Sequence, residues 1–252
     1  MSTALVTGAS SGMGLEFARQ LSGEGYDLVL VARSCERLEK IGEALRDRHC
    51  VSTEVLVADL GKAEDTAKVA ARLRQTPAVE VLVNAAGFGI STPFLETSLE
   101  EENQALNVMV RAVMETCHAA GSTMRAAGRG RIINVSSVAA DSGMGPYSAH
   151  KAWVRSFSQG LAAELQGSGV SVTATMPGLV RTEFHERAGA DYTGAPALAW
   201  TSASEVVTQT LAASRKGRVV FTPTLRYKVV SGVQRAVPRT IQRAAMRLLP
   251  HM

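Results

Sequence analysis

Short apolar runs and longer segments of helical spacing alternate along the chain. The runs Thr3–Thr7, Asp27–Ala32, Thr53–Ala58, Val79–Asn84, Arg131–Ser136, Val170–Met176 and Arg218–Phe221 are rich in β-branched and aliphatic residues and predict strands. Between them, helices are predicted over 13–24, 34–48, 62–75, 100–127, 146–166 and 202–214. Strand–helix alternation with nearly continuous apolar strands argues for the α/β class, a doubly wound parallel sheet with helices on both faces.

Residues 182–201 interrupt the alternation. They are rich in Gly, Ala, Pro and Thr, and a loop of that length in a compact domain is usually functional, so a substrate lid is expected there. Residues 224–252 predict a basic helical tail. Val230, Val233, Val237, Ile241, Ala245 and Leu248 form one stripe, and Arg235, Arg239, Arg243 and Arg247 recur every four residues on another. Like charges at that spacing repel by roughly 0.2–0.5 kcal/mol per pair. An acidic surface on the same protein or a second subunit, or peripheral contact with anionic lipid, would relieve the repulsion; the alternative is a basic face that meets only water.

Composition narrows the class. With 252 residues, 46% hydrophobic and 20% charged, the chain has the balance of a globular protein and a length compatible with one domain spanning 1–252. No apolar run approaches the ~18 residues of a membrane span. Met1–Thr7 has no charged region before its first apolar run, so no signal peptide is expected. Cys35, Cys50 and Cys117 are widely spaced and match no metal-ligand pattern; they read as core residues of a reduced, cytoplasmic protein without a metal. The net charge of +4 conceals a division, because nine of the 27 basic residues follow the last acidic residue, Glu205. The body is mildly acidic. A nucleic-acid binder more often carries its basic stripe on the main fold with aromatics between, so no nucleic-acid partner is expected.

The first strand runs directly into Thr7-Gly8-Ala9-Ser10-Ser11-Gly12-Met13-Gly14, and the helical pattern Leu15, Ala18, Leu21 follows. Glycines permit a tight turn and close approach of a ligand, and the helix start offers unpaired N–H groups and a positive dipole end. Pyrophosphate is the natural guest. The Gly-x3-Gly-x-Gly spacing matches the commoner dinucleotide fingerprint only loosely. The second strand ends Val31-Ala32-Arg33-Ser34, with no carboxylate to hold the ribose hydroxyls of NAD. Arg33 can pair a phosphate and Ser34 can donate a hydroxyl, so NADP is the expected cofactor.

Tyr147 and Lys151 lie four apart on a predicted helix and share one face. A phenol near pKa 10 is a poor acid at neutral pH unless a neighbouring cation stabilises its anion, as a lysine one turn away does. Ser137, at the end of the fifth strand, can hydrogen-bond a carbonyl oxygen where charge develops. Ser136 is the alternative for that role. His150, between the pair, reads as a structural histidine.

These residues together resemble the short-chain dehydrogenase/reductase family over about residues 3–185, in its single-domain, Tyr-x3-Lys branch and a bacterial broad-specificity subgroup. The resemblance implies a Rossmann-type, seven-stranded sheet and a set of roles. Gly8, Ser10, Ser11, Gly12, Met13 and Gly14 look like the cofactor loop, and Asp59-Leu60 like the adenine contact. Asn84-Ala85-Ala86-Gly87 is similar to the family's Asn-Asn-Ala-Gly, with Ala85 in place of the second asparagine. Asn107 matches the asparagine that supports a proton relay, and Ser137, Tyr147 and Lys151 match the catalytic trio. Lys151 also binds the nicotinamide ribose in that family. Pro177-Gly178 through Val180 and Thr182 match the segment beside the nicotinamide. Ser137 and Tyr147 are closer together than family members usually show. The expected function is an NADP(H)-dependent oxidoreductase passing hydride between nicotinamide and a hydrophobic ketone or secondary alcohol, in a homodimer or homotetramer. The competing reading is a non-catalytic NADP-binding regulator or scaffold of the same fold.

Overall fold

The computed structural model describes residues 2–143, 145–184, 189, 194 and 196–236. The first half contains β1 (Thr3–Thr7), α1 (Gly12–Gly23), β2 (Asp27–Ala32), α2 (Cys35–His49), β3 (Thr53–Val57), α3 (Ala63–Arg72) and β4 (Val79–Asn84). The second contains α4 (Leu99–Leu106), α5 (Ala112–Ala127), β5 (Gly130–Val135), α6 (Gly145–Glu164), β6 (Val170–Thr175), β7 (Val180–Arg181), β8 (Thr201–Ser202), α7 (Ala203–Arg215), β9 (Val220–Phe221) and α8 (Leu225–Ala236).

Seven strands form one sheet in the order β3-β2-β1-β4-β5-β6-β9, every pairing parallel. The alternation of side chains along a strand explains the layers. Ala4 and Val6 of β1 pack with Phe17 and Leu21 of α1, Leu38 of α2 and Val207 and Leu211 of α7. Leu5 of the same strand faces the other way, into a core with Val69 of α3, Val113 and Cys117 of α5, and Leu165. Both faces are thus buried. Strand order reverses at β1, whose neighbours are β2 and β4, and a ligand crevice opens beyond the carboxyl ends at such a switch point.

The single helix predicted over 100–127 is interrupted. A π-helical stretch, Asn107–Arg111, separates α4 from α5, and the Asn107 amide donates to the Gly61 carbonyl at 3.1 Å. Ser98 and Glu101 form a reciprocal capping box at the start of α4, stabilising the end that the sequence pattern places within one residue. Two further corrections concern cysteines: Cys35 and Cys50 are exposed, and only Cys117 is in the core, where burial pushes its thiol up to about 12.

The segment expected as a lid is bracketed by β7 and β8, which pair in parallel, a contact the sequence pattern does not signal. Ala197–Ala199 form a 3-10 turn within it. His185 and Tyr192, which also belong to that segment, lie outside the described residues. So do the Arg235 side chain and all of the predicted tail beyond α8, including Arg239, Arg243 and Arg247. Among the described residues, no helix is long and apolar enough to cross a membrane.

Candidate active site

The carboxyl ends of β1, β2, β4, β5 and β6 open into a cleft of about 1130 Å³. Its floor begins at the glycine loop. Gly8 has φ +68, and a Cβ there would lie 2.9 Å from the Ala86 backbone. At Gly14 a Cβ would sit 2.2 Å from the Gly8 carbonyl oxygen, so α1 can start against the turn only with glycine at that position. Thr7 secures the opposite wall: its hydroxyl oxygen accepts from the backbone N–H of Ala85 (3.1 Å) and of Ala86 (3.2 Å).

Ser10, Ser11, Gly12 and Met13 complete the loop lining, with Thr182 beside Gly12. At the tip of β2, Arg33 is exposed on the cleft, and no ion pair within the described residues takes up its charge. Ser34 accepts from the Arg37 N–H at 3.3 Å and caps α2. Asp59 and Leu60 follow β3 at the rim, and the Asp59 carboxylate accepts from Gly61 N–H at 3.0 Å. Ala85, Ala86 and Gly87 line the middle, and Pro177, Gly178 and Val180 the far side.

The candidate catalytic residues share that wall. Ser137, Tyr147 and Lys151 all line the cleft. Lys151 is 4% exposed, and its ammonium donates to the Val135 carbonyl at 3.0 Å. Burial lowers its pKa from 10.5 to about 8. The same Nζ lies 5.6 Å from the Tyr147 ring centroid. The two serines divide their work. Ser136 is buried, and its hydroxyl donates to the Lys151 main-chain carbonyl at 2.7 Å, anchoring α6 to the end of β5. Ser137 accepts from Ala139 N–H at 3.1 Å and has only a long 3.5 Å contact to the Pro177 carbonyl, which leaves its proton available to a ligand.

Two expected residues are not at the cleft surface. Asn84 is 4% exposed and belongs to a buried chain: it donates to Asn134 at 2.9 Å, and Asn134 donates to Ser158 of α6, also at 2.9 Å. The Thr116 hydroxyl lies 3.0 Å from the Asn84 carbonyl oxygen. Asn107 spends its amide on Gly61. Both hold elements that carry the cleft rather than facing into it.

Other lining residues carried no signal that periodicity could reveal. Arg37 stands one turn beyond Arg33 on α2 and pairs with Glu183 at 3.5 Å. Tyr227 reaches back from α8: its hydroxyl accepts from Leu179 N–H at 2.9 Å and donates to the Ala199 carbonyl at 2.7 Å. Phe184, tilted against Tyr147 with centroids 5.9 Å apart, and Phe88 add apolar surface. Trp200 of the expected lid instead lies under the Arg181 guanidinium, 5.8 Å from its ring centroid.

The model of the family described as short chain dehydrogenase matches residues 2–193. The short-chain reductase protein NovJ of Streptomyces niveus is 36% identical over 200 residues, 75% of each chain. Among solved structures, a short-chain dehydrogenase from Sphingobium yanoikuyae in complex with NADPH is 34% identical, with a TM-score of 0.85 over 94% of each chain. The bulky-bulky ketone specific alcohol dehydrogenase from Comamonas testosteroni is 30% identical, with a TM-score of 0.81 over 94% of this chain and 93% of that one. With the parallel sheet, the glycine cradle and the serine, tyrosine and lysine on one wall already in place, these matches identify the chain as a member of the short-chain dehydrogenase/reductase family of oxidoreductases.

Proposed function

We propose that this single-domain chain is an NADP(H)-dependent carbonyl reductase, reversible as an alcohol dehydrogenase, acting on a hydrophobic ketone or secondary alcohol. The observation that carries the reading is that Ser137, Tyr147 and Lys151 line the same cleft as the glycine cradle and Arg33. The NADPH complex of the Sphingobium protein supports the cofactor, and the ketone named for the Comamonas enzyme supports the substrate class.

The residues present fit the cofactor. A cradle that a Cβ at Gly8 or Gly14 would fill, at the start of α1, suits a pyrophosphate. Arg33, with no ion-pair partner within the described residues, suits a further phosphate on the ribose. Asp59 and Leu60 would hold the adenine end. Ala85 to Gly87, Lys151 and the segment from Pro177 to Thr182 would hold the nicotinamide end. The chemistry the cofactor supplies when bound is hydride exchange with the substrate carbon.

The chain's own residues manage the oxygen. Ser137 donates a hydrogen bond to it and orients the carbonyl. Tyr147 gives it a proton, and in the reverse direction takes one. The buried Lys151 ammonium, fixed by the Val135 carbonyl, stabilises the negative charge left on the phenol oxygen. Asn107 serves as a positioning residue where α4 gives way to the π stretch. Phe88, Leu179, Phe184 and Tyr227 exclude water around the reacting atoms.

A second copy of the chain is the proposed partner. Leu99 and Leu106 of α4 and Met114 of α5 are 73%, 44% and 45% exposed, a row of large apolar side chains that association would cover. A panel of ketones and alcohols, followed by nicotinamide absorbance, tests the activity. Absence of turnover with every member, despite NADPH binding, would favour the regulator reading.

A further inference from the structure

Beyond β7, large aliphatic side chains reach solvent on two joined segments. Leu198, in the turn Ala197–Ala199, and Leu225 and Val229 of α8 are 78%, 77% and 59% exposed. α8 turns Tyr227 to the cleft and presents Leu225, Lys228, Val229 and Gly232 to solvent. Two hydrogen bonds tie the turn to the helix: the Tyr227 hydroxyl donates to the Ala199 carbonyl at 2.7 Å, and the Arg226 guanidinium donates to the Leu198 carbonyl. The three aliphatic side chains thus move as one unit, beside the cleft wall that Tyr227 forms.

The charge around them has one sign. The Arg181 guanidinium lies over the Trp200 ring, Arg226 spends its donor on a neutral carbonyl, and the Lys228 ammonium lies 5.3 Å from the Phe221 ring centroid. Among the described residues none of these three cations has a carboxylate partner. No acidic residue follows Glu205 in the sequence, and Arg235, Arg239, Arg243 and Arg247 continue the basic series. Protruding aliphatic side chains among unpaired cations, with an indole nearby, match the headgroup layer of an anionic bilayer. There apolar tips reach the acyl boundary, indoles favour the interface and cations meet lipid phosphates.

Other occupants match less of this chemistry. A second copy related by a two-fold axis would set the cations against their own images. Residues 237–252 hold three arginines and no carboxylate, so they would add charge of the same sign. A nucleic acid would answer the cations and leave the aliphatic side chains in water.

We propose that the outer face of α8 and the Ala197–Ala199 turn dock the protein on an anionic lipid bilayer, with Leu198, Leu225 and Val229 inserted and Arg226 and Lys228 on the headgroups. Docked in this way, the Tyr227 side of the cleft stands next to a reservoir of hydrophobic molecules. Docking requires only this surface and holds whether or not the cleft reduces ketones.

Co-sedimentation of the full chain with phosphatidylcholine vesicles, with and without about one-third phosphatidylglycerol, is the test. Wild type is expected to bind the anionic vesicles at low salt, to bind the neutral ones about tenfold or more weakly, and to dissociate at high salt. Leu225→Ser combined with Val229→Ser is expected to weaken binding about tenfold or more. Lys228→Gln is expected to weaken it about fivefold, the share of one cation near such a surface. Leu198→Ser reads the same surface from the other segment, with an expected loss of about threefold or more, should the double substitution perturb α8. Absence of binding to anionic vesicles at low salt overturns the docking surface. So does equal binding by wild type, L198S and the L225S/V229S chain, the result expected if the tail arginines alone attach the protein. Sedimentation velocity without vesicles reads the remaining occupant. A wild-type dimer that L225S/V229S converts to monomer, in a chain that ignores vesicles, assigns the face to a second copy and overturns lipid docking.

Discussion

The ring of Tyr227 occupies the space that a side chain on Gly178 would need: a Cβ there would lie 2.0 Å from the ring's Cζ. Together with the two hydrogen bonds of the Tyr227 hydroxyl, to Leu179 and Ala199, this contact latches α8 onto the loop after β6. Tyr227→Phe removes both bonds and is expected to cost about 1–3 kcal/mol. Its effect on kcat/KM is expected to exceed its effect on NADPH affinity, because the loop it holds borders the reacting end. Gly178→Ala should displace the ring and weaken both. Thermal melts and cofactor titrations of the two variants check the order.

Loss of the Tyr147 hydroxyl is expected to separate chemistry from binding. Tyr147→Phe should lower kcat by about 10²–10⁴, the usual contribution of a positioned proton donor, with NADPH affinity nearly unchanged. Fluorescence titration with NADPH beside steady-state rates makes the comparison. Retained turnover would remove Tyr147 from the proton-transfer role.

Arg33 should decide between the two nicotinamide cofactors. A charge-assisted hydrogen bond to a phosphate contributes about 1.5–3 kcal/mol, so Arg33→Ala is expected to weaken NADPH roughly tenfold to a hundredfold and to leave NADH little changed. Arg37→Ala should do less, since Glu183 already engages that guanidinium. Dissociation constants for both cofactors measure the effect.

The buried Lys151 predicts a pH-dependent stability. Its pKa falls from 10.5 to about 8 on folding because burial penalises the charged form. Between those pH values the unfolded chain binds more protons than the folded one, so this group makes stability rise with pH. Below pH 8 both states hold the proton and the whole cost, about 3 kcal/mol, is present. In cofactor-free protein, Lys151→Met is expected to flatten denaturation free energies between pH 8 and 10. Parallel curves for variant and wild type would contradict this assignment.

Asn84 is expected to report on stability rather than on cofactor. Asn84→Ala takes the amide donor away from Asn134 in the core, at about 1–3 kcal/mol, whereas Thr116 keeps the Ala112 carbonyl at 2.7 Å. Denaturant midpoints should move markedly. NADPH affinity should move little, and a large loss of affinity at wild-type stability would place Asn84 at the ligand after all.

The sheet, its helices and most of the cleft were legible in the sequence for a physical reason. Strands buried on both faces read as continuous apolar runs, and the signals for Gly8, Gly14, Arg33, Tyr147 and Lys151 are local, set by turns and by spacing along one helix. What escaped depended on partners far along the chain. The break at Asn107 answers a carbonyl at Gly61, 46 residues earlier, and the Tyr227 hydroxyl meets Leu179 across 48 residues. Asn84 shows the other limit: its sequence motif marks a position near the cofactor, but only packing decides whether an amide turns to the cleft or to a buried Asn134.

The order of hydrophobic and polar residues by itself therefore determined the layered parallel sheet, the phosphate cradle and the pairing of Tyr147 with Lys151. Each follows from local backbone geometry and side-chain period. Tertiary structure alone decided that Ser136 is an anchor while Ser137 faces the cleft, that α8 returns over Gly178, and that Asn107 turns its amide to Gly61. These depend on which surfaces meet once the elements pack, and no spacing along the chain encodes the distance between them.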